Sequence, residues 1–213
     1  MAYKLVIFDF DGTLADTFPW FLSIMNIVAD RYGFRRVEEH EIDRLRSTDA
    51  QQIIRQLGIP KWKLPLIARH MRMLATQNID GVRLFDGVDQ MLRRLSEAGV
   101  SVAIVSSNSE QNVRRALGPE MAALISQFSC GASMFGKAPR FRRVVRESQL
   151  ERRDVLCVGD EIRDHDAARR AGLAFGAVAW GFTKADTLNA LMPDEMFSTP
   201  EEIVTRLAPP PHR

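Results

Sequence analysis

The sequence predicts an α/β fold: a doubly wound (Rossmannoid) parallel-sheet core with a small all-helical segment inserted after the first strand. Residues 4–10 are an apolar run rich in Val, Ile and Phe, the pattern of a strand buried on both faces. Residues from about 15 to 82 show apolar spacing of three and four and no strand-like stretch. After Phe85-Asp86-Gly87, strand-like and helix-like stretches alternate with short connections. That alternation implies right-handed crossovers and parallel strands covered on both faces.

The insert begins with Phe18, Phe21, Leu22, Met25, Val28 and Ala29, one helical face that stops near Gly33. Helical patterns follow at 38–45, 49–57 and 65–78, interrupted by Gly58-Ile59-Pro60. The second part of the core starts with a helix at 88–98, stopped by Gly99, and a buried strand at 100–106. A helix at 110–117 and a short, edge-like strand at 127–130 come next. A helix at 138–148, a strand at 154–159, a helix at 161–171 and a strand at 173–179 complete the pattern. The predicted organisation is a core of residues 1–14 and 83–208, a helical insert of residues 15–82, and an extended Pro-rich tail at 209–213.

Composition removes several function classes. Hydrophobic residues are 46% and charged residues 26%, the balance of a globular protein. Lys and Arg total 29 against 27 Asp and Glu, a net charge of +2, too even for a dedicated polyanion binder, so no nucleic-acid partner is expected. Two cysteines, Cys130 and Cys157, supply neither a disulfide scaffold nor a four-thiolate zinc site. Asp9 and Asp11 interrupt the first apolar run, and no apolar run approaches the ~20 residues that span a bilayer. The expectation is a cytoplasmic protein without a signal peptide or membrane partner, monomeric or homodimeric.

Ligands of open α/β sheets bind beyond the carboxyl ends of the strands. There the sequence places Asp9 and Asp11, then Ser107 and Asn108, then Asp160 with Asp164 four residues on; Gly136-Lys137 opens a helix on the same edge. Two like charges ~4 Å apart repel by roughly 4 kcal/mol at an effective dielectric near 20. Four aspartates against one lysine therefore call for a hard divalent cation, and magnesium suits a site of few carboxylates plus phosphate and water. The plainer alternative is that strand-end aspartates cap the following helices, that Ser107 is a helix N-cap and that Lys137 is a solvated surface residue.

Asp9-Phe10-Asp11-Gly12-Thr13-Leu14-Ala15-Asp16-Thr17, then Val105-Ser106-Ser107-Asn108, then Lys137 before Pro139, then Val158-Gly159-Asp160-Glu161-Ile162-Arg163-Asp164 resemble, in order, the four motifs of the haloacid dehalogenase-like (HAD) hydrolases. The helical insert after the first motif resembles the C1-type cap of the phosphoglycolate phosphatase and β-phosphoglucomutase branch. The resemblance implies that Asp9 is a nucleophile forming an aspartyl-phosphate and that Asp11 is the general acid and base. It implies that Ser107, the Asn108 amide and Lys137 hold the phosphoryl oxygens. Asp9, Asp160 and the Asp11 carbonyl would bind Mg2+, Asp164 would orient that shell, Gly12 would give the turn room and Thr13 would buttress it. The founding dehalogenases resemble Asp-x-Tyr where this chain has Asp11. The second aspartate thus points to phosphate: a phosphatase acting on a small phosphorylated metabolite, or a phosphomutase. A non-catalytic HAD-fold binding protein is the alternative of a different class, but the loss of Asp9, Asp11 or Asp160 that would mark it is absent.

In the insert, Arg46-Ser47-Thr48-Asp49 separates two helices, where related caps present a loop over the site. Arg46 is expected to clasp an anionic group of the substrate bidentately; the competing expectation is an exposed helix end, with Asp49 an N-cap. Other signals carry less. Gly131 to Ala138 nearly spells a P-loop, but Ala138 stands where the magnesium-binding hydroxyl belongs. The basic cluster Arg140, Arg142, Arg143, Arg146, Arg152 and Arg153 is accompanied by Glu147, Glu151 and Asp154 and reads as a solvated helix face. His40, His70, His165 and His212 share no metal-ligand spacing, and Cys157 reads as an inert buried thiol.

Overall fold

The structure is a computed structural model that describes residues 3–133 and 136–208. The predicted Pro-rich tail at 209–213 lies outside the described residues, as do Met134 and Phe135 of the P-loop-like stretch. The strands are β1 (Leu5–Phe8), β2 (Ala15–Asp16), β3 (Arg83–Leu84), β4 (Ser101–Val105), β5 (Gln127–Ser129), β6 (Val155–Gly159), β7 (Ala174–Val178) and β8 (Glu195–Phe197). The insert's helices are α1 (Phe18–Tyr32), α2 (Glu39–Leu45), α3 (Ala50–Gln56) and α4 (Leu64–Asn78). The core adds α5 (Val88–Glu97), α6 (Glu110–Ala123), α7 (Lys137–Ser148), α8 (Ile162–Ala171), α9 (Ala185–Asn189) and α10 (Pro200–Leu207).

Among the described residues, six parallel strands stand in the order β5-β4-β1-β6-β7-β8. The winding reverses beside β1, so β4 flanks it on one side and β6 on the other. The continuous apolar run of β1 has a simple cause. Val6 and Phe8 join Leu92, Leu95, Val113 and Val204 on one face of the sheet, while Leu5 and Ile7 join Phe141, Val144 and Ala168 on the other. Both faces are dry, so neither side-chain parity can be polar. Each such side chain contributes about 1.5–3 kcal/mol relative to exposure. Helix α5 shows the matching helical logic: Val88, Met91, Leu92 and Leu95, at steps of three and four, are its buried face.

Three differences from the sequence expectation have physical causes. The segment 15–82 is not purely helical: Ala15–Asp16 pairs antiparallel with Arg83–Leu84. This two-residue ribbon joins the chain's exit from the core to its return, and two residues are too few to show alternation. Helix α6 continues past the predicted stop at 117, because the break at Gly118 (φ 71°, ψ 166°) before Pro119 is local and the chain resumes helical geometry to Ala123. The elements α9, β8 and α10 were not anticipated; α10 carries its own start signal, Thr199 accepting the Glu202 N–H with Pro200 at the first turn. Strand β5 is at the sheet edge as expected. No helix among the described residues is long and apolar enough to cross a membrane.

Candidate active site

Strands β1 and β6 are neighbours where the winding reverses, the position at which such sheets bind ligands. Phe8 is in register with Val158, and the Asp9 N–H donates to the Val158 carbonyl at 2.9 Å. The two strands therefore release Asp9 and Asp160 side by side.

Asp9 is held from two directions. Its Oδ1 accepts the Phe10 N–H at 2.7 Å, and its Oδ2 lies 2.6 Å from Lys137 Nζ. Lys137 opens α7 and is 2% exposed, so the surface-lysine alternative is excluded. Its Nζ also donates to Asp164 Oδ1 at 2.6 Å, from the first turn of α8. Asp9, Asp160 and Asp164 each offer a carboxylate oxygen within 4.8 Å of the others. Asp160 Oδ1 accepts the Thr13 hydroxyl and its Oδ2 accepts the Phe182 N–H, both at 2.7 Å. Gly12 takes a left-handed φ of +78°, and a Cβ there would collide with the Asp160 carboxylate and the Phe182 ring. Gly12 and Thr13 thus both pack against the Asp160 carboxylate.

Asp11 lies apart from that triad. Asn108 Nδ2 is 3.3 Å from both of its carboxylate oxygens. The Asn108 N–H donates to Ser106 Oγ at 3.0 Å, and the N-cap of α6 is Ser109 rather than Ser107. Ser107 stands on the wall of the cavity beside Asp11 and Asn108.

Burial sets the electrostatics. It raises the Asp9 carboxyl to about 7 against the pull of Lys137. Asp160 is raised well above the carboxylate range by burial first, then by repulsion from Glu161, Asp9 and Asp164. Asp11 is raised by burial, with Asn108 opposing. Burial works to lower the Lys137 ammonium, but Asp164 and Asp9 outweigh it and raise it. Lys137 and Arg163 are two cations against the carboxylates of Asp9, Asp160, Asp164 and Glu161, and Asp164 Oδ2 has no hydrogen-bond partner although buried. Hard oxygen donors with a residual negative charge fit a small divalent cation.

Arg46 reaches the core differently from the expected clasp. Its Nε donates to the Phe182 carbonyl at 2.9 Å and its Nη2 to the Gly181 carbonyl at 3.0 Å, while its own carbonyl accepts the Lys184 N–H at 3.0 Å. The Phe18 ring lies 5.1 Å from the guanidinium. Asp49 caps α3 by accepting the Gln51 and Gln52 N–H groups. The loop 180–184 is a part of the site that sequence reasoning missed. Its signal was available: Gly181 and the aromatics Trp180 and Phe182 follow directly on a predicted strand end. Asn112 was also missed. It is fully buried, its Nδ2 donates to Asn108 Oδ1 at 2.9 Å, and that Nδ2 stands 3.4 Å from the Arg72 carbonyl of α4. One amide thus joins the insert to the residue that holds Asp11.

A family profile described as haloacid dehalogenase-like hydrolase matches residues 6–178. The chain is 32% identical over 202 residues to a phosphoglycolate phosphatase of Synechococcus elongatus, covering 94% of this chain and 95% of that one. It is 26% identical over 190 residues to the tyrosine-protein kinase PtkA of Mycobacterium tuberculosis, covering 87% of this chain and 65% of that one. The fold matches that of a haloacid dehalogenase-like family hydrolase from Streptococcus pneumoniae with a TM-score of 0.77 at 18% identity, over 96% of this chain and 98% of that one. The chain belongs to the haloacid dehalogenase-like hydrolases.

Proposed function

We propose that this haloacid dehalogenase-like hydrolase is a magnesium-dependent phosphomonoesterase that cleaves a small phosphorylated metabolite through an aspartyl-phosphate, in the manner of a phosphoglycolate phosphatase. That it is a phosphatase accords with its family and its relatives. The observation that carries the finer reading is the buried triad Asp9, Asp160 and Asp164 around a single lysine.

Asp9 is the nucleophile: the Phe10 N–H and Lys137 hold its carboxylate in one orientation, which removes the entropy of aligning it for attack on phosphorus. Asp11, raised by burial, carries the proton to the departing alkoxide and then takes one from the attacking water. Ser107 and Lys137 hold phosphoryl oxygens, joined by the Asn108 amide when its N–H exchanges Ser106 Oγ for the phosphoryl group. Asp9, Asp160 and the Asp11 carbonyl would hold Mg2+, with Asp164 orienting them. When bound, the ion supplies charge neutralisation of the phosphoryl oxygens. The helical insert acts as the cap, excluding water from the site; the contacts of Arg46 with the loop 180–184 support this.

The test is inorganic phosphate release from a panel of phosphorylated metabolites, with Mg2+ and with chelator. Turnover should need the metal, and Asp9→Asn should lose at least about a thousandfold while remaining folded. A variant that kept a tenth of wild-type release would remove Asp9 from the nucleophile's role.

A further inference from the structure

Behind the catalytic aspartates lies a cavity of about 330 Å³. It opens at Asp11, Ser107 and Asn108 and runs into the insert, where its walls are Phe18, Phe21, Met25, Ile53, Ile67 and Met71. All six are only partly buried, although each belongs to the apolar pattern that should close a helical bundle. Well-packed interiors leave few voids larger than a water molecule, and a dry apolar cavity of ~150 Å³ already accepts benzene. This chamber is about twice that size and continuous with the phosphate site.

The cations on its wall are Arg46, Arg163 and Arg72. Arg46 donates to the carbonyls of Phe182 and Gly181, and Arg163 pairs with Glu161. Arg72 makes neither kind of contact, and Thr17, Thr48, Glu161 and Thr183 are further polar side chains on a wall that is otherwise mainly apolar.

We infer that the alcohol released from the substrate is apolar: the preferred ester is the phosphate of an aliphatic or aromatic alcohol of about six carbons or more, whose body fills the chamber. The inference rests on the phosphomonoesterase reading above and narrows it. The ester's P–O bond to the alcohol breaks as Asp9 takes the phosphoryl group, and Asp11 gives its proton to the departing alkoxide. Water then releases phosphate, so that ester and water yield alcohol and phosphate. Methionine at two of the six wall positions lets the chamber adapt to the shape of the alcohol.

The test is kcat/KM for primary alkyl phosphates from methyl to hexyl, whose leaving groups are of similar basicity, beside 2-phosphoglycolate. The value should rise about tenfold or more from methyl to hexyl and exceed that for 2-phosphoglycolate. In Ala68→Phe, which fills the chamber from α4, the rise with chain length should vanish. A flat or falling series, with 2-phosphoglycolate turned over, would overturn the apolar assignment, leave the phosphatase reading standing and point to Arg72 as the reader of an anion. Binding of hexylphosphonate against methylphosphonate, measured by calorimetry, separates the chamber from the chemistry. Tighter binding of the longer phosphonate by about tenfold supports the chamber even if no ester turns over, and equal binding refutes it.

Discussion

The parallel-sheet core and the helical insert solve opposite problems with the same kinds of residue. In the core, Leu5, Val6, Ile7 and Phe8 are at most 1% exposed, and every carboxylate of the triad leaves a strand or helix anchored in that interior. In the insert, the buried cluster is Val37, Leu45 and Leu57, with Met25, Phe34, Ile42 and Ile53 only partly covered. Ile27, Trp62, Leu66 and Met73 are exposed. Chemistry requires carboxylates fixed to a fraction of an ångström, which close packing provides. Under the proposed function, choosing a leaving group requires room, which loose packing provides, and such packing predicts a segment that opens at a lower free energy than the core.

The sharpest way to break this contrast is Lys137→Met. Removing one partner of a buried charge cluster leaves Asp9 and Asp164 facing each other, and the loss should be about 3–5 kcal/mol in metal-free buffer, read from the urea midpoint. A loss below about 1 kcal/mol would mean that the core tolerates the triad without its ammonium. Next in size, Asn112→Ala should lower kcat for an alkyl ester about tenfold with KM within twofold. It should spare the pre-steady-state burst of p-nitrophenolate from p-nitrophenyl phosphate, whose leaving group needs no proton from Asp11. Equal losses on both would make Asn112 a packing residue alone.

Arg46→Ala tests the joint between the two regions. With its donors on the carbonyls of Gly181 and Phe182, the expected effect is a several-fold fall in kcat/KM, shared by p-nitrophenyl phosphate and the best natural ester. A loss confined to the natural ester would place the guanidinium on the substrate, as the sequence alone suggests. The smallest effect belongs to Glu41 of α2. Arg35, the Glu38 N–H and Arg44 hold its carboxyl down at about 2. A folded-state value below the ordinary 4.5 contributes stability that is present above pH 4.5 and lost as pH falls toward 2. The melting temperatures of wild type and Glu41→Gln should therefore converge over that interval; a constant difference would show that the carboxylate's charge is irrelevant there.

Much of the site was legible because its chemistry is written in short local strings. Asp9-x-Asp11, Ser107-Asn108 and Asp160 with Asp164 each follow a strand that apolar patterning identifies, and the strand-end rule converges them without coordinates. What escaped was carried by contacts distant in sequence. Asn112 looks like an ordinary polar residue in α6 until its amide is seen between Asn108 and α4. The loop 180–184 follows a strand that was recognised, yet only its return over Asp160 reveals its part. Arg46 was singled out for its charge, and its partners turned out to be backbone carbonyls that leave no trace in side-chain identity. The ribbon of β2 and β3 is invisible for a similar reason, since two paired residues carry no period.

By itself, the sequence determined the fold class, the helical nature of the insert and the identity of the acids, because hydrophobic period and residue chemistry are local properties of the chain. The tertiary structure alone decided the order of the strands and with it the placing of β6 beside β1. It brought Lys137 between Asp9 and Asp164, gave the loop 180–184 and Asn112 their places, and left an open chamber in the insert. These are outcomes of long-range packing: which face meets which, and how completely, depends on the summed fit of side chains far apart in the chain.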